Sequence, residues 1–296
     1  MSILLLTGAS GFLGSALARF WAAREQPVHL LLRPTSSRAR LAPVAERVIV
    51  HEATTADEAA RVVASLMPDV IVHTACAYGR DGETPRHLLE TNVGFGMALL
   101  QALLDLRCDR QVTMINTGSV LEPDVSLYAL GKRQFSDWGA QLAAQSPQAL
   151  RFINLRLQQM YGPGDDRSKF TTHVLHACRA DEPALRMTLG EQRRDLIHID
   201  DVVAAFDAVL ANVDALAAYE AIDVGSGEAP SIRTFVELVR RLTGASTRLE
   251  FGAVPYRARE AMLCVADTTR LRTLGWRPAH DLTSGLQDTL RKESVS

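Results

Sequence analysis

A tyrosine and a lysine four positions apart, Tyr128 and Lys132, are the residues of this sequence best suited to acid–base chemistry. They fall in a predicted helix, Leu127 to Gln145, where a spacing of four puts both side chains on one face. Tyrosine alone is a poor proton donor or acceptor at neutral pH, since its ordinary pKa is about 10. Because a neighbouring ammonium group favours the phenolate, we expect Lys132 to lower the pKa of Tyr128. The pair would then pass a proton to or from a substrate oxygen.

A hydroxyl group opposite the tyrosine would hold the reacting oxygen by a second hydrogen bond. The predicted strand Gln111 to Asn116 ends in a segment of small polar residues that runs on to Ser119. Thr117 is the first candidate for this hydroxyl and Ser119 the second. Strand-end turns are also rich in small polar residues for conformational reasons, so a purely structural turn is the alternative.

The chain opens with a short apolar run, Ile3 to Leu6, followed by the glycine-rich segment Thr7 to Gly14. The next residues have the period of an amphipathic helix, so a strand, a turn and a helix are predicted. In that arrangement N–H groups at the helix start bind dinucleotide phosphates, and glycines allow the tight turn and the close approach. A plain glycine turn is the alternative. The expected cofactor contacts are Gly8, Ser10, Gly11, Phe12, Leu13 and Gly14.

The tyrosine–lysine pair lies far downstream of the glycine turn, and this order predicts a nicotinamide dinucleotide that exchanges a hydride. The residues that follow the second predicted strand, Val28 to Leu32, indicate which dinucleotide is used. An acidic residue there binds the adenosine ribose of NAD, whereas arginine pairs with the 2′-phosphate of NADP. No Asp or Glu lies between Glu25 and Glu46, so we expect NADP(H), with NAD(H) as the alternative. The expected contacts are Arg33, Ser36 and Arg38, unless these are solvated surface residues.

The composition is that of an ordinary globular enzyme, with 47% apolar and 22% charged residues among 296. The formal net charge is −2 and the basic residues are scattered, which argues against nucleic-acid binding. No apolar stretch reaches membrane-spanning length and no cleavable leader is seen, so we expect a cytoplasmic protein. The histidines and cysteines show no metal-ligand spacing. We therefore expect no metal, and buried free thiols at Cys76, Cys108, Cys178 and Cys264.

Strand and helix patterns alternate through the first half of the chain, which predicts a parallel sheet built from βαβ units. The expected class is α/β, a Rossmann-like doubly wound sheet with a smaller C-terminal substrate-binding lobe. Residues 1–155 would form the cofactor domain, with 190–225 returning to it, and residues 156–189 and 226–296 would form the lobe. Among the predicted helices, one long helix runs from about Pro85 to Leu106.

Several motifs resemble the extended short-chain dehydrogenases, the family of nucleotide-sugar epimerases, dehydratases and reductases. They span nearly the whole chain: Thr7 to Gly14, Thr91 to Val93, Asn116 to Ser119, Tyr128 to Lys132, Tyr161 to Pro163, Arg193 to Val202 and Leu274 to Pro278. More narrowly, three segments resemble CDP-abequose and CDP-paratose synthases, which reduce a 4-keto group on a CDP-linked dideoxy sugar. These segments are His73 to Arg80, Leu127 to Trp138 and Tyr161 to Phe170.

The resemblance implies a role for each matching residue near the cofactor. Thr117, Tyr128 and Lys132 would form the catalytic set. Ala75 and Tyr78 would lie beside the cofactor, with Tyr78 also within reach of the substrate.

On the substrate side, Gln159 occupies a position that usually holds asparagine near the sugar-nucleotide phosphates. Arg194 and Arg257 would clamp the diphosphate, for which bidentate guanidinium bonds are suited. Glu260 would hold the nucleotide ribose. The alternatives are a sheet-edge salt bridge for Arg194 and a solvated loop charge for Arg257.

Departures from the family pattern narrow the reaction. Family dehydratases carry Asp-Glu directly after the threonine, but this chain has Gly118 and Ser119 there, so 4,6-dehydration is not expected. The missing acid after the second strand argues against a retained NAD and therefore against an epimerase. We expect NADPH-dependent reduction of the 4-keto group of a nucleoside-diphosphate-linked 4-keto-6-deoxy sugar, or of its 3,6-dideoxy form.

Two alternatives stay open at this point: a C4 epimerase that regenerates NAD in each cycle, and a non-catalytic NADP-binding sensor. The resemblance also implies a homodimer, formed through the helices near 85–106 and 128–145.

Overall fold

The structure is a computed structural model that describes residues 3–24, 27–80, 82–106 and 110–294. The chain divides into two compact units: Met1–Arg156 with Asn212–Ile222, and Leu157–Ala211 with Asp223–Ser296. The segment that returns to the first unit is thus shorter than the expected 190–225. Cys108, one of the expected buried thiols, lies outside the described residues.

The first unit contains the elements of the predicted βαβ pattern. In chain order they are β1 (Leu4–Thr7), α1 (Phe12–Ala22), β2 (Val28–Leu32), β3 (Val48–Glu52), α2 (Ala56–Leu66), β4 (Val70–His73), α3 (Pro85–Leu89), α4 (Phe95–Asp105), β5 (Val112–Ser119), α5 (Leu127–Gln145) and β6 (Leu150–Leu157). A 3-10 helix, Ala39–Arg47, precedes β3. A further strand, Tyr219–Val224, is numbered β11 because four short strands of the second unit precede it.

The seven strands are ordered β11-β6-β5-β4-β1-β2-β3, and the pairs from β3 through β5 are parallel. The predicted α/β Rossmann-like doubly wound sheet is therefore confirmed. Chain order runs outward in opposite directions from β1 and β4, which makes the gap between them a topological switch point. In open α/β sheets ligands bind beyond the carboxyl ends of the strands at such a point.

Close packing of α5 on the sheet determines where the tyrosine and lysine lie. The core joins Leu5, Ile71 and Met114 of the strands to leucines of α4 and to Phe135 of α5. Gly139 faces Phe152 so closely that a Cβ would lie 2.5 Å from the ring carbon Cδ2. Any larger residue there would push α5 away from β6.

Two elements differ from the sequence prediction in ways that matter for the site. Strand β5 continues to Ser119, beyond the predicted end at Asn116, so the alternative of a purely structural turn at 117–119 is wrong. The expected continuous helix 85–106 contains a π-helical turn, Glu90–Gly94, between α3 and α4. Such turns are rare and occur often at functional sites, because they redirect side chains without ending the helix.

The second unit packs helices on three small parallel strand pairs. Its elements are β7 (Gln159–Tyr161), α6 (Phe170–Arg179), β8 (Ala184–Met187), β9 (Arg193–Arg194), β10 (Leu196–His198), α7 (Ile199–Ala211), α8 (Ile232–Thr243), β12 (Arg248–Phe251), β13 (Leu263–Cys264), α9 (Thr269–Thr273) and α10 (Leu282–Glu293). The pairs are β10–β7, β12–β8 and β13–β9. Helix α7 packs on β7 and β10, which explains why it stays in this unit and does not return to the first.

Within the described ranges, every helix falls short of the length and apolar character that a membrane crossing requires.

Candidate active site

Gly8 and Gly11 lie in the turn between β1 and α1, and Gly14 follows in the first turn of α1. We call these three glycines the glycine cradle, because side chains on them would fill the space around the turn. Gly8 has φ +70°, and a Cβ on it would lie 2.5 Å from the Ala75 nitrogen. A Cβ on Gly14 would lie 2.8 Å from the Ala9 Cα. Gly11 is the N-cap of α1, and its extended backbone makes no side-chain capping bond. A helix start without a capping side chain is the kind of site at which backbone N–H groups bind the phosphates of a dinucleotide.

The arginines after β2 lie on the surface, where one of them has an acidic partner. Arg33 is exposed, and its backbone oxygen accepts a hydrogen bond from the Ser36 nitrogen at 2.9 Å. Arg38 forms an ion pair with Glu52. Parallel pairing sets Glu52 opposite Leu32, at the end of β2. The acidic residue Glu52 of β3 thus lies next to the end of β2, although the loop that follows β2 contains no acidic residue of its own.

Thr117 is buried near the end of β5, and its Oγ1 has no hydrogen-bond partner among the described residues. An unpaired buried hydroxyl is unfavourable in a folded protein and calls for an explanation such as a ligand. The second candidate, Ser119, is engaged: its Oγ accepts a hydrogen bond from the Leu121 nitrogen at 3.1 Å. The geometry therefore favours Thr117 over Ser119.

Tyr128 lies in the first turn of α5, which begins at the N-cap Ser126. One turn later the buried Lys132 donates a hydrogen bond from Nζ to the Thr117 backbone oxygen at 2.8 Å. The same ammonium nitrogen lies 5.9 Å from the centre of the Tyr128 ring. The structure thus brings Thr117, Tyr128 and Lys132 together at the carboxyl end of β5.

The expectation that Lys132 lowers the pKa of Tyr128 is wrong for the protein alone. Burial raises the pKa of Tyr128 well above its usual value, nearby Cys76 and Tyr78 raise it further, and Arg80 opposes the rise. Burial also lowers the pKa of Lys132. The physical reason is that the half-buried Tyr128 and the buried Lys132 both lose water that would stabilise their charged forms. Tyr128 is therefore protonated at neutral pH in this state.

The loop after β4 carries the residues that surround the tyrosine. Asn92 of the π-helical turn accepts a hydrogen bond from the Ala77 nitrogen at 2.8 Å and donates one to the Ala77 oxygen at 2.9 Å. This pair of bonds fixes the loop against the helix. The ring of Tyr78 then packs on the ring of Tyr128, with centres 4.9 Å apart and planes inclined by 34°. Cys76, expected to be buried, is half-buried beside this group.

The remaining residues expected to bind substrate lie in the second unit. Arg194 in β9 is buried, forms an ion pair with Glu260 and donates from Nη1 to the Arg193 oxygen at 2.9 Å. The Glu260 nitrogen donates to the Arg257 oxygen at 3.1 Å, so Arg257 is on the same turn. Gln159 begins β7 and is exposed. The structure thus groups three of the four residues, Arg194, Arg257 and Glu260.

Four residues that the sequence does not indicate also come together in the second unit. Oxygen and nitrogen atoms of His198, Asp200, His280 and Asp288 lie within 4.8 Å of one another, close enough to hold a metal ion. The ammonium of Lys292 lies 3.0 Å from Asp200 and 2.8 Å from Asp288. The positive charge of Lys292 therefore already pairs with both carboxylates. Spacing along the chain could not reveal this group, because the residues lie on β10, α7, α10 and the loop that precedes α10.

Comparison with known proteins agrees with this arrangement. The sequence pattern of the NAD dependent epimerase/dehydratase family matches residues 4–225. A CDP-abequose synthase of Salmonella typhimurium is 30% identical, over 75% of this chain and 75% of its own. A dTDP-L-rhamnose 4-epimerase of Burkholderia thailandensis is 25% identical, over 96% of this chain and 92% of its own.

The fold also matches solved structures over its whole length. A UDP-glucose-4-epimerase from Stenotrophomonas maltophila, crystallised with NAD and formylated UDP-arabinopyranose, superposes with a TM-score of 0.87. It is 20% identical, and the match covers 100% of this chain and 98% of that one. The resemblance to the extended short-chain dehydrogenases is thereby confirmed, and the protein is an NAD(P)-dependent enzyme that belongs to the NAD dependent epimerase/dehydratase family.

Proposed function

We propose that the protein reduces the 4-keto group of a nucleoside-diphosphate-linked 4-keto-6-deoxy sugar, or of its 3,6-dideoxy form, with NADPH as the hydride donor. The observation that carries the proposal is the unpaired Thr117 hydroxyl, which lies beside the Tyr128–Lys132 pair in a family of nucleotide-sugar enzymes. The similarity to CDP-abequose synthases supports a CDP-linked deoxy sugar as the first substrate to offer.

The cofactor would lie at the glycine cradle, where a Cβ on Gly8 or Gly14 would collide with backbone and a Cβ on Gly11 would be tightly placed. NADPH supplies the hydride when bound. The residues that would bind its phosphates and nicotinamide end are Gly8, Ser10, Gly11, Phe12, Leu13, Gly14, Ala75, Tyr128 and Lys132. Arg33 and Ser36 would contact the 2′-phosphate, and Arg38 would do so if it leaves Glu52.

The protein's own part in the reaction is to hold the carbonyl and deliver a proton. The Thr117 hydroxyl donates a hydrogen bond to the 4-oxygen and so polarises the carbonyl. Tyr128 gives its proton to the same oxygen as the carbon is reduced, and its raised pKa means that the phenol still holds this proton before the reaction. Lys132 stabilises the phenolate that results and holds α5 against β5. Arg194 and Arg257 bind the diphosphate, and Glu260 binds the ribose. Further contacts to the substrate come from Tyr78, Ser119 and Gln159.

The limited space around Gly118, near the end of β5, favours reduction over dehydration. A Cβ on Gly118 would lie 3.0 Å from the Asn154 side-chain carbon, so this position leaves no room for a carboxylate. A carboxylic acid directly after the threonine is what elimination of water would need as a second acid–base group.

A C4 epimerase with retained NAD is the second candidate, favoured by one observation. Glu52 neutralises Arg38, which weakens the case for a 2′-phosphate and leaves an acid near the ribose position. The similarity to a dTDP-L-rhamnose 4-epimerase points the same way. In that reaction Tyr128 would take the proton of the 4-hydroxyl and return it to the same oxygen, and NAD, when bound, would supply the hydride exchange at C4 that inverts this carbon.

Two incubations distinguish the two functions: one with NADPH and CDP- or dTDP-linked 4-keto-6-deoxy sugars, the other with the corresponding 4-hydroxy sugars and no added cofactor. Stoichiometric NADPH oxidation with formation of the 4-hydroxy sugar is the expected result. NAD that stays bound through purification, together with C4 inversion and no net NADPH loss, would establish the epimerase. Tight dinucleotide binding without turnover of any keto sugar would support the sensor.

We also propose a homodimer through the helical face of the first unit. Leu89 of α3 and Leu130 and Trp138 of α5 are exposed, Trp138 with 54% of its surface. Light scattering of the wild type and of Trp138→Glu measures the association. A dimer in the wild type and a monomer in the variant are expected, and a monomeric wild type would refute the dimer.

A further inference from the structure

Four side chains make successive contacts around the proposed general acid. The guanidinium carbon of Arg80 lies 5.1 Å from the centre of the Tyr78 ring. Tyr78 packs on Tyr128 at 4.9 Å between ring centres, and the Lys132 ammonium lies 5.9 Å from the Tyr128 ring. Two cations and two phenol rings thus form one connected group. The proposed mechanism uses Lys132, Tyr128 and Tyr78 but assigns nothing to Arg80.

We propose that Arg80 is a positioning residue for the Tyr128 acid: its guanidinium keeps the Tyr78 ring packed on Tyr128 and adds a second positive charge near the catalytic hydroxyl. This inference rests on the proposed function, because it concerns the same proton donor. Arginine suits the task, since it stacks on aromatic faces and stays charged at any pH at which the protein is folded.

The backbone around Arg80 is shaped to hold it over the ring. Gly79, between Tyr78 and Arg80, has φ +74°, and a Cβ on it would lie 3.1 Å from the Leu88 side chain. Two residues earlier, Ala77 is clamped by both hydrogen bonds of the Asn92 amide. The segment that presents Tyr78 and Arg80 is therefore anchored to the π-helical turn and bends at a position where a side chain would be strained.

The charge balance at Tyr128 gives Arg80 a function that Lys132 alone does not supply. Among the described residues, Cys76, Tyr78 and Arg80 of the loop act on the ionisation of Tyr128, and the ammonium of Lys132 lies 5.9 Å from the centre of its ring. Burial, Cys76 and Tyr78 raise the pKa of Tyr128, whereas Arg80 lowers it. Burial also lowers the pKa of Lys132. After Tyr128 has given up its proton, a permanently charged guanidinium would stabilise the phenolate.

The test compares Arg80→Gln and Arg80→Lys with the control Arg86→Gln, an exposed arginine of α3 that pairs only locally with Glu90. The ionisation of Tyr128 is followed by the ultraviolet absorbance of tyrosinate with saturating NADP⁺, after subtraction of the same titration of Tyr128→Phe. We expect Arg80→Gln to raise the inflection by about half a pH unit to one pH unit, and Arg80→Lys to raise it by less. Arg86→Gln should leave it unchanged.

The turnover number and KM of the same variants show whether Arg80 acts on the tyrosine or on the substrate. A fall in kcat of about 5- to 10-fold with little change in KM is expected for Arg80→Gln. An unchanged inflection would overturn the inference, and an increase in KM alone would make Arg80 a substrate contact. The absorbance titration needs no sugar substrate, so it tests Arg80 even if the proposed reduction proves wrong. Equal thermal unfolding of all variants would exclude a folding defect.

Discussion

The ammonium nitrogen of Lys132 lies 2.8 Å from the backbone oxygen of Thr117. This hydrogen bond joins the helix that carries Tyr128 to the strand that carries the unpaired hydroxyl. Lys132 is 3% exposed, so the bond forms in a dry environment where it is strong and where its loss would leave a buried charge. The three groups of the proposed reaction are thus held by one side chain as well as by the packing of α5.

The unpaired hydroxyl of Thr117 leads to an unusual combination of effects for Thr117→Val. Activity should fall about 100-fold, because the carbonyl loses a hydrogen bond in the transition state. The free energy of unfolding should stay the same or rise, because a buried hydroxyl without a partner is replaced by a methyl group. Steady-state kinetics and urea unfolding measure the two effects.

Thr289→Val is the matched control for this experiment. Thr289 is also buried, but its Oγ1 donates a hydrogen bond to the Gly285 oxygen at 2.9 Å. We expect this variant to lose about 1 kcal/mol of stability and to keep its activity. A loss of stability in Thr117→Val as large as in Thr289→Val would show that the Thr117 hydroxyl has a partner.

The glycine cradle predicts that Gly14→Ala loses cofactor binding. The added Cβ would lie 2.8 Å from the Ala9 Cα, so α1 must move away from β1 and the phosphate-binding N–H groups move with it. Titration calorimetry with NADPH should show at least about 100-fold weaker binding. In Gly94→Ala the new Cβ has its nearest neighbour 3.9 Å away, so binding should be unchanged. NADPH affinity in Gly14→Ala equal to the wild type would contradict the proposed phosphate site.

The ion pair between Arg38 and Glu52 predicts how cofactor preference can be changed. Glu52→Gln frees Arg38 and removes a negative charge near the ribose, so the ratio of NADPH to NADH affinity should rise about 10-fold. Arg33→Ala should lower the same ratio by a similar factor. Dissociation constants of both cofactors, measured for both variants, provide the check. If neither ratio changes, the loop after β2 does not contact the 2′-phosphate.

The features of the site that depend on residues close together in the chain could be predicted from the sequence, whereas those that depend on contacts between distant segments could not. The glycine turn and the Tyr128–Lys132 spacing are local, because the strand–turn–helix pattern and the helical repeat determine them. Glu52 cannot be identified from the sequence of the loop after β2, because only the register of β3 against β2 brings it to Arg38. Its position just after the apolar run Val48 to Val50 is the signal that could have indicated it.

The pKa of Tyr128 could not be deduced from its lysine neighbour. Burial depends on how the loop after β4 folds over α5, and that loop is held by the Asn92 amide from a π-helical turn. The segment 85–106 has glycines at Gly94 and Gly96 but no proline after Pro85, and because isolated glycines are tolerated within helices, the pattern predicts a continuous helix. The sequence therefore predicts which residues do chemistry, whereas their protonation depends on contacts between distant segments.

His73 predicts a specific dependence of stability on pH. Burial and the charge of Lys132 lower the pKa of His73 to about 3, and its Nδ1 lies 2.8 Å from the Thr7 hydroxyl. The unfolded chain binds a proton near pH 6.5 that the folded chain does not bind. Stability therefore falls as the pH drops below 6.5, by at most about 1.4 kcal/mol per pH unit from this residue.

Urea unfolding between pH 7 and 5 tests this prediction. His73→Leu removes the titrating group, so its stability should fall less with decreasing pH than that of the wild type, whatever the cost of the substitution at pH 7. Equal slopes for the two proteins would show that His73 is protonated in the folded state.

The central claim is that Tyr128 gives its proton to the 4-oxygen of a keto sugar. The most direct measurement is NADPH oxidation by wild type and Tyr128→Phe with a CDP- or dTDP-linked 4-keto-6-deoxy sugar, together with NADPH binding to both. Removing a general acid should lower kcat by about 100- to 10,000-fold while NADPH affinity changes by less than about 3-fold. Turnover by Tyr128→Phe at the wild-type rate would contradict the account.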